Sequence, residues 1–258
     1  MIFKDQTGRN IFIKENPKKI ISLVPSITEL LFDLGLEHEI YGITEYCIHP
    51  KEKVQTKTKI GGPKNINIAL ILSKNPDLII ASKEENEKQQ VESLMEYSNV
   101  YVCDIKSLND AITMIRDVGI ITNKKEKAEN IIRNIKNNFG SLKISPSKRK
   151  SVAYLIWENP YMTINNDTFI NHMLFLGGFE NVFAYKKDRY PKISLQEIRA
   201  HNPDFIFLST EPYLFTDIHV NQFKEAFPNT NIKLVNGEIF SWYGSHLIKV
   251  PDYFKHLL

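Results

Sequence analysis

Two stretches decide the fold: PKNINIALILSKNPDLIIAS, Pro63–Ser82, and PKISLQEIRAHNPDFIFLS, Pro191–Ser209. Both open on Pro-Lys, run through a short amphipathic helix pattern, reach Asn-Pro-Asp and end in an apolar strand, Leu78–Ala81 or Phe205–Leu208. The two aspartates, Asp77 and Asp204, lie 127 residues apart. A second echo precedes each copy. LLFDLGLEHEI (Leu30–Ile40) matches MLFLGGFENVF (Met173–Phe183), with Gly35 and Gly178 separated by 143 residues, as are Glu37 and Glu180. Self-similarity at half-chain scale means two lobes of one design, not a solenoid.

The rest of the chain fits an α/β design. Helical patterns alternate with short apolar strands, as a parallel sheet with crossover helices requires. Strands are predicted at Ile20–Val24, Ile40–Ile43, Leu78–Ala81 and Val100–Val102, then at Val152–Ile156, Phe205–Leu208 and Ile232–Val235. In SLVPSITELLF, Ser22–Phe32, a strand meets a proline and then Ser26-x-x-Glu29, the pattern of a helix capping box. Between the halves, Leu108–Ile121 and Lys124–Leu142 read as helices. The second carries Ala128, Ile131, Ile132, Ile135 and Phe139 on one face and is closed by Ser145-Pro146-Ser147. The expected architecture is two similar lobes, each a mostly parallel sheet with flanking helices: 1–106, connecting helices over 107–147, and 148–258. The long helix joins them as a rigid backbone rod, roughly 28 Å long at 1.5 Å per residue, so little closure around a ligand is expected.

Composition narrows the function. The chain has 258 residues, 42% hydrophobic and 24% charged, with a net charge of +3. That charge is too slight to argue for nucleic acid or a membrane surface. Lys148-Arg149-Lys150 reads as a solvated connector. The longest apolar run, Val152–Trp157, is far short of a membrane span. No dinucleotide, phosphate-loop, zinc-protease or serine-hydrolase motif is present, so an enzymatic reading has no motif behind it. Cys47 and Cys103 are either two buried thiols or one disulfide. Tyr46-Cys47-Ile48-His49 offers a Cys-x-His pair, a weak metal candidate that reads more simply as structural. His172, His201, His219, His246 and His256 have no partner at ligand spacing in the sequence.

In open α/β sheets, ligands bind beyond the carboxyl ends of the strands. The residues there include Pro25-Ser26, Glu45-Tyr46-Cys47, Ser82-Lys83-Glu84, Trp157-Glu158-Asn159 and Ser209-Thr210-Glu211. The aromatic loop Ile239–Gly244 adds Trp242 and Tyr243. Aromatic residues with a polar tip suit a broad, flat, partly apolar ligand. The same residues also admit a plain packing role, Trp157 at the end of an apolar strand above all.

NPKKIISLVPSITELLFDLG, NPDLIIAS and NPDFIFLS, in this order and over the whole chain, resemble the periplasmic substrate-binding proteins for cobalamin, ferric siderophores or haem that have a helical backbone between lobes. The cobalamin-binding members look closest. The resemblance implies a monomeric binding protein, not an enzyme. It would hold a cobalamin-like, haem-like or ferric-chelate ligand in the cleft between lobes and deliver it to an ABC permease, with no intrinsic cofactor. Pro25 and Ser26 match the cleft-facing turn after the first strand, Tyr46 an aromatic that packs on the corrin ring, and Gly62 and Pro63 the next cleft loop. Trp157 and Tyr190 match lobe-two cleft positions, and Trp242, beside Tyr243, a further ring-packing tryptophan. The chain departs from the family where a docking glutamate is expected on each lobe, offering Ala69 and Ser241. Met1–Asp5 opens no secretory leader. The expectation is therefore extracytoplasmic if a leader has been removed and cytoplasmic if Met1 is the native start. The alternative is a cytoplasmic metal- or cofactor-handling protein or enzyme that reuses the fold, with Cys47 and His49 as its discriminating residues.

Overall fold

The computed structural model describes residues 2–13, 16–144 and 148–257. The predicted helix stop at Ser145–Ser147 lies outside the described residues. The chain divides into two compact units: unit 1 is Met1–Ile105, Asn109–Asn137 and Tyr243–Ile248, and unit 2 is Lys106–Leu108, Asn138–Trp242 and Lys249–Leu258.

Unit 1 opens with the hairpin β1 (Ile2–Lys4) and β2 (Asn10–Phe12), which the sequence patterning did not mark. Then follow β3 (Ile20–Ser22), α1 (Pro25–Asp33), β4 (Ile40–Ile43) and α2 (Lys51–Val54). A two-residue-strand hairpin, β5 (Gly61–Gly62) and β6 (Asn65–Ile66), leads to α3 (Ile68–Ser73), β7 (Leu78–Ser82), α4 (Lys88–Met95) and β8 (Val100–Cys103). The helices α5 (Leu108–Ile121) and α6 (Lys125–Gly140) come next. The predicted α6 stripe is buried at Ala128, Ile131, Ile132 and Ile135, while Phe139 is only half-buried.

Unit 2 repeats the sheet with β9 (Lys150–Leu155), α7 (Phe169–Leu176), β10 (Phe179–Asn181), α8 (Leu195–His201), β11 (Phe205–Ser209), α9 (Asp217–Ala226), β12 (Asn231–Val235), α10 (Gly237–Ser241) and α11 (Val250–Leu257). Unit 1 orders its parallel strands β4-β3-β7-β8, and unit 2 orders them β10-β9-β11-β12. Each unit therefore places its second, first, third and fourth strands in the same sequence across the sheet. Central strands β7 and β11 are buried along their whole length, as strands covered on both faces must be.

The Asn-Pro-Asp repeat explains itself locally. Asn75 and Asn202 take the left-handed conformation, φ 47° and 44°, that stops α3 and α8. Asparagine tolerates that region better than other non-glycine residues. Proline then keeps the helix from restarting. The aspartate clamps the start of the first strand of its sheet. Asp77 accepts the backbone N–H groups of Lys18 and Lys19 at 2.8 and 3.0 Å, and Asp204 accepts that of Ser151 at 2.8 Å. The second echo is also backbone chemistry, with Gly35 at φ 77° and Gly178 at φ 88°, where a side chain would be strained.

One local expectation fails. Ser26 and Glu29 do not form a capping box. Helix α1 starts two residues earlier than a Ser26 cap requires, at Pro25, with Val24 as N-cap and no side-chain cap. Proline suits the first helical position, because its missing N–H would be unpaired there anyway. Its presence shifts Ser26 into the first turn. Among the described residues the buried Ser26 hydroxyl has no hydrogen-bond partner, and the Glu29 carboxylate turns to His246 instead.

Candidate functional site

In unit 1, the carboxyl end of β4 leads into Thr44–Cys47. The Glu45 N–H donates to the Gly61 carbonyl at 3.0 Å, which ties this loop to the β5–β6 hairpin. Tyr46 is 64% exposed, and a Cβ on Gly62 would sit 3.1 Å from its ring, so the missing side chain lets the ring lie against the hairpin. Buried Asn86, which sequence reasoning did not single out, organises the neighbouring turns. Its side-chain amide donates to the carbonyls of Leu23 and Pro63, both at 3.1 Å. The structure thus gathers Tyr46 with Gly62, and links Pro63 to the turn ahead of Pro25 and Ser26. Pro25 and Ser26 themselves are buried.

Cys47 packs as a buried free thiol. Its buried thiol lies 3.2 Å from both the Thr28 and Thr44 hydroxyls, and burial pushes its pKa up. Cys103 is the second buried free thiol, pushed up to about 12 by burial. Among the described residues, no group of three or more His, Cys, Asp or Glu side chains is placed to hold a metal ion.

Tyr243 and His246 belong to the short segment of unit 1 that comes late in the chain. Tyr243 is buried and donates its hydroxyl to Glu85 Oε1 at 2.8 Å; burial, with Cys103 and Glu85 nearby, holds its pKa well above the usual value. His246 Nδ1 lies 2.8 Å from Glu29 Oε2, with both side chains more than nine-tenths buried. Sequence spacing could not couple these two residues, 217 positions apart.

In unit 2, Ile156–Thr168 separates β9 from α7. The segment turns back through paired backbone hydrogen bonds between Trp157 and Met162 and between Ile156 and Met162. Trp157 is 41% exposed and meets Tyr213 edge-on, ring centroids 5.6 Å apart. Tyr190 is half-buried in the loop whose Arg189 and Pro191 carbonyls accept the N–H groups of Asn165 and Thr163. Trp242 is buried, its indole N–H donating to Glu211 Oε2 at 3.2 Å. The first half of the loop expected over Ile239–Gly244, through Ser241, belongs to helix α10, and Ser241 donates its hydroxyl to the Gly237 carbonyl. Of the two predicted ring-packing residues, Tyr46 faces solvent and Trp242 is packed; of the other loop aromatics, Trp157 faces solvent and Tyr243 is packed.

Ala69 is exposed on α3. Helices α3 and α8 are equivalent in the repeat, Asn67 capping one and Ser194 the other, so the unit 2 counterpart of Ala69 is Gln196 on α8. Ser241 lies outside that repeat.

A duplicated four-stranded parallel sheet with aromatic residues on the loops beyond its strands is an arrangement in which ligands are held beyond the strand ends. The chain belongs to the periplasmic binding protein family, whose pattern matches residues 20–230. It is 28% identical over 213 residues to an uncharacterised ABC transporter substrate-binding lipoprotein of Bacillus subtilis, covering 78% of this chain and 67% of that one. It is 25% identical over 198 residues to a vitamin B12-binding protein of Vibrio parahaemolyticus, covering 76% and 72%. The crystal structure of the periplasmic vitamin B12-binding protein of Vibrio cholerae shares the fold, with a TM-score of 0.74 at 19% identity over 93% of this chain and 96% of that one.

Proposed function

We propose that the chain is the substrate-binding component of an ABC-type uptake system, working outside the cytoplasm and without catalysis. Its ligand is a broad metal chelate of the cobalamin, haem or ferric-siderophore type. The observation that carries this reading is a solvent-facing aromatic ring in each unit, Tyr46 in one and Trp157 in the other, beyond the carboxyl ends of that unit's own parallel strands. Exposed rings of this size present apolar area that a flat ligand can cover. Relatives named for vitamin B12 support the corrinoid member of the set. Delivery to a permease proceeds without the docking glutamates of the family, since α3 offers Ala69 and α8 offers Gln196 at the equivalent position.

The test is a titration of the purified protein with cyanocobalamin, cobinamide, haemin and ferric siderophores, following tryptophan fluorescence. At least one ligand is expected to bind below ~100 μM, worth roughly 5–6 kcal/mol. Failure of all of them overturns the reading.

A further inference from the structure

Glu158, Tyr213 and His219 meet in unit 2 although 55 and then 6 positions separate them. The Tyr213 hydroxyl donates to Glu158 Oε2 at 2.6 Å. His219 Nε2 lies 3.4 Å from the same oxygen and 3.3 Å from the Tyr213 hydroxyl. The location of the histidine proton follows from the other side of the ring. Thr216 begins α9 as its N-cap, and its backbone N–H donates to His219 Nδ1 at 2.9 Å. A neutral ring that accepts at Nδ1 carries its proton on Nε2. The His219 Nε2–H therefore has the Tyr213 oxygen as its acceptor at 3.3 Å, and Tyr213 in turn donates to one carboxylate oxygen of Glu158.

The other oxygen is left over. Glu158 Oε1 has no hydrogen bond among the described residues, although a carboxylate has room for about four. The Glu158 side chain is 19% exposed, so it is sheltered yet reachable. The neighbouring residue is Trp157, whose exposed ring is buttressed edge-on by the same Tyr213 that holds Glu158. A fixed acceptor thus stands beside an exposed indole, beyond the ends of β9 and β11.

We propose that Glu158 reads the edge of a ligand lying on Trp157, accepting N–H groups of carboxamides or ammonium groups and excluding edges that carry carboxylates or phenolates. The proposal rests on the binding function argued above. Its chemistry separates the ligand classes left open there. A corrinoid has a rim of carboxamides, haem has propionates, and ferric catecholates carry excess negative charge. Hydrogen bonds to an ionised acceptor are the strong ones, and a second carboxylate brought to the same place repels it. Tyr213 and His219 act as positioning residues, since they hold the carboxylate without replacing it.

The test compares the wild type with Glu158→Gln, a replacement of equal size. Tryptophan fluorescence follows binding of dicyanocobinamide, of dicyanocobyrinic acid (the same ring, also without a nucleotide, with carboxylates in place of amides), of haemin and of a neutral ferric trihydroxamate. The wild type is expected to prefer the amide-edged corrinoid over the acid-edged one by at least about tenfold, as a charged hydrogen bond lost to repulsion requires. Glu158→Gln is expected to shrink that preference to less than about threefold, mostly by improving binding of the acid. An unchanged preference in the variant, no preference in the wild type, or binding of haemin or the hydroxamate alone overturns the role of Glu158 and leaves the binding function standing. Failure of all four ligands on the wild type overturns both.

Discussion

The two units build the same sheet and then leave its first strand differently. In unit 1, β3 passes into α1 through Leu23 and Val24 alone, and the turn is buried. In unit 2, β9 ends at Leu155 and α7 begins only at Phe169. The added segment carries Trp157 into solvent and Glu158 to Tyr213 and His219. What both copies keep is backbone control: the left-handed asparagine that ends a helix and the aspartate that clamps a strand. What diverges is the connection at the carboxyl end of the first strand. The sheet tolerates this because loops beyond the strand ends contribute little to its core.

A practical asymmetry lets the units be followed separately. Both cysteines lie in unit 1 and both tryptophans in unit 2. Burial raises both thiols, Cys103 to about 12, so neither is a ready nucleophile while unit 1 is folded. Thiol labelling in increasing urea therefore reports the opening of unit 1, and tryptophan fluorescence reports unit 2. The largest effect is expected from His246→Ala, which leaves the Glu29 carboxylate buried without its imidazole. Breaking a buried pair from one side costs about 3 kcal/mol. The labelling transition is expected to move to lower urea by that amount, and the fluorescence transition by less. Equal shifts in both would mean that the units unfold as one cooperative body, and the comparison would then hold for structure and not for stability.

A smaller effect separates the two aspartate clamps. Asp204 is held below the usual carboxylate range, chiefly by the backbone N–H of Ser151 and further by the Ser151 hydroxyl and Lys150. A carboxyl whose folded pKa is depressed contributes stability above its unfolded pKa, near 4, and loses it as pH falls through the folded value. Asp204→Ala is expected to destabilise the fluorescence-reported transition of unit 2 by about 1 kcal/mol at pH 7. The variant should also lose less stability than the wild type between pH 5 and the acid end, a range set by the ordinary carboxylate value. Parallel acid limbs in the two proteins would remove the clamp from the account of unit 2.

These clamps show what a single chain discloses. The Asn-Pro-Asp repeat was legible because it is short-range: a helix stop, a proline and a strand start follow one another, and each residue type has its own backbone reason. Seven of the eight strands of the two parallel sheets followed from apolar runs for the same cause, and β10 did not, because Phe179–Asn181 contains no such run. The β1–β2 hairpin escaped because strands of three residues carry too little alternation to register. Ser26 was misread because two helix-start signals compete over adjacent residues, and the proline prevailed. The couplings Glu29–His246 and Glu158–Tyr213–His219 could not be read at all, since the sheet topology and not spacing brings them together. Exposure was the other hidden quantity. Trp157 ends an apolar strand and Trp242 sits in a polar loop, yet the first faces solvent and the second is buried on Glu211.

The subtlest difference between the units is how each supports its exposed ring. Trp157 is buttressed by another side chain, Tyr213, whereas Tyr46 rests on the bare backbone of Gly62. Gly62→Ala probes that support directly. The added Cβ would come within 3.1 Å of the Tyr46 ring, closer than ordinary contact, so the ring must tilt away by a few tenths of an ångström. Because that ring is mostly solvent-exposed, it can give way without disturbing the core, and stability is expected to change by no more than about 0.5 kcal/mol. What should change is the ring's fit to a ligand. If Tyr46 packs on the ligand, Gly62→Ala is expected to weaken binding by about two- to fivefold, and Tyr46→Ala by more, since it removes the contact area altogether. Loss of affinity in Tyr46→Ala with none in Gly62→Ala would show that the ring matters but its seat does not. Unit 1 would then hold its ligand contact loosely, where unit 2 fixes its own through Tyr213.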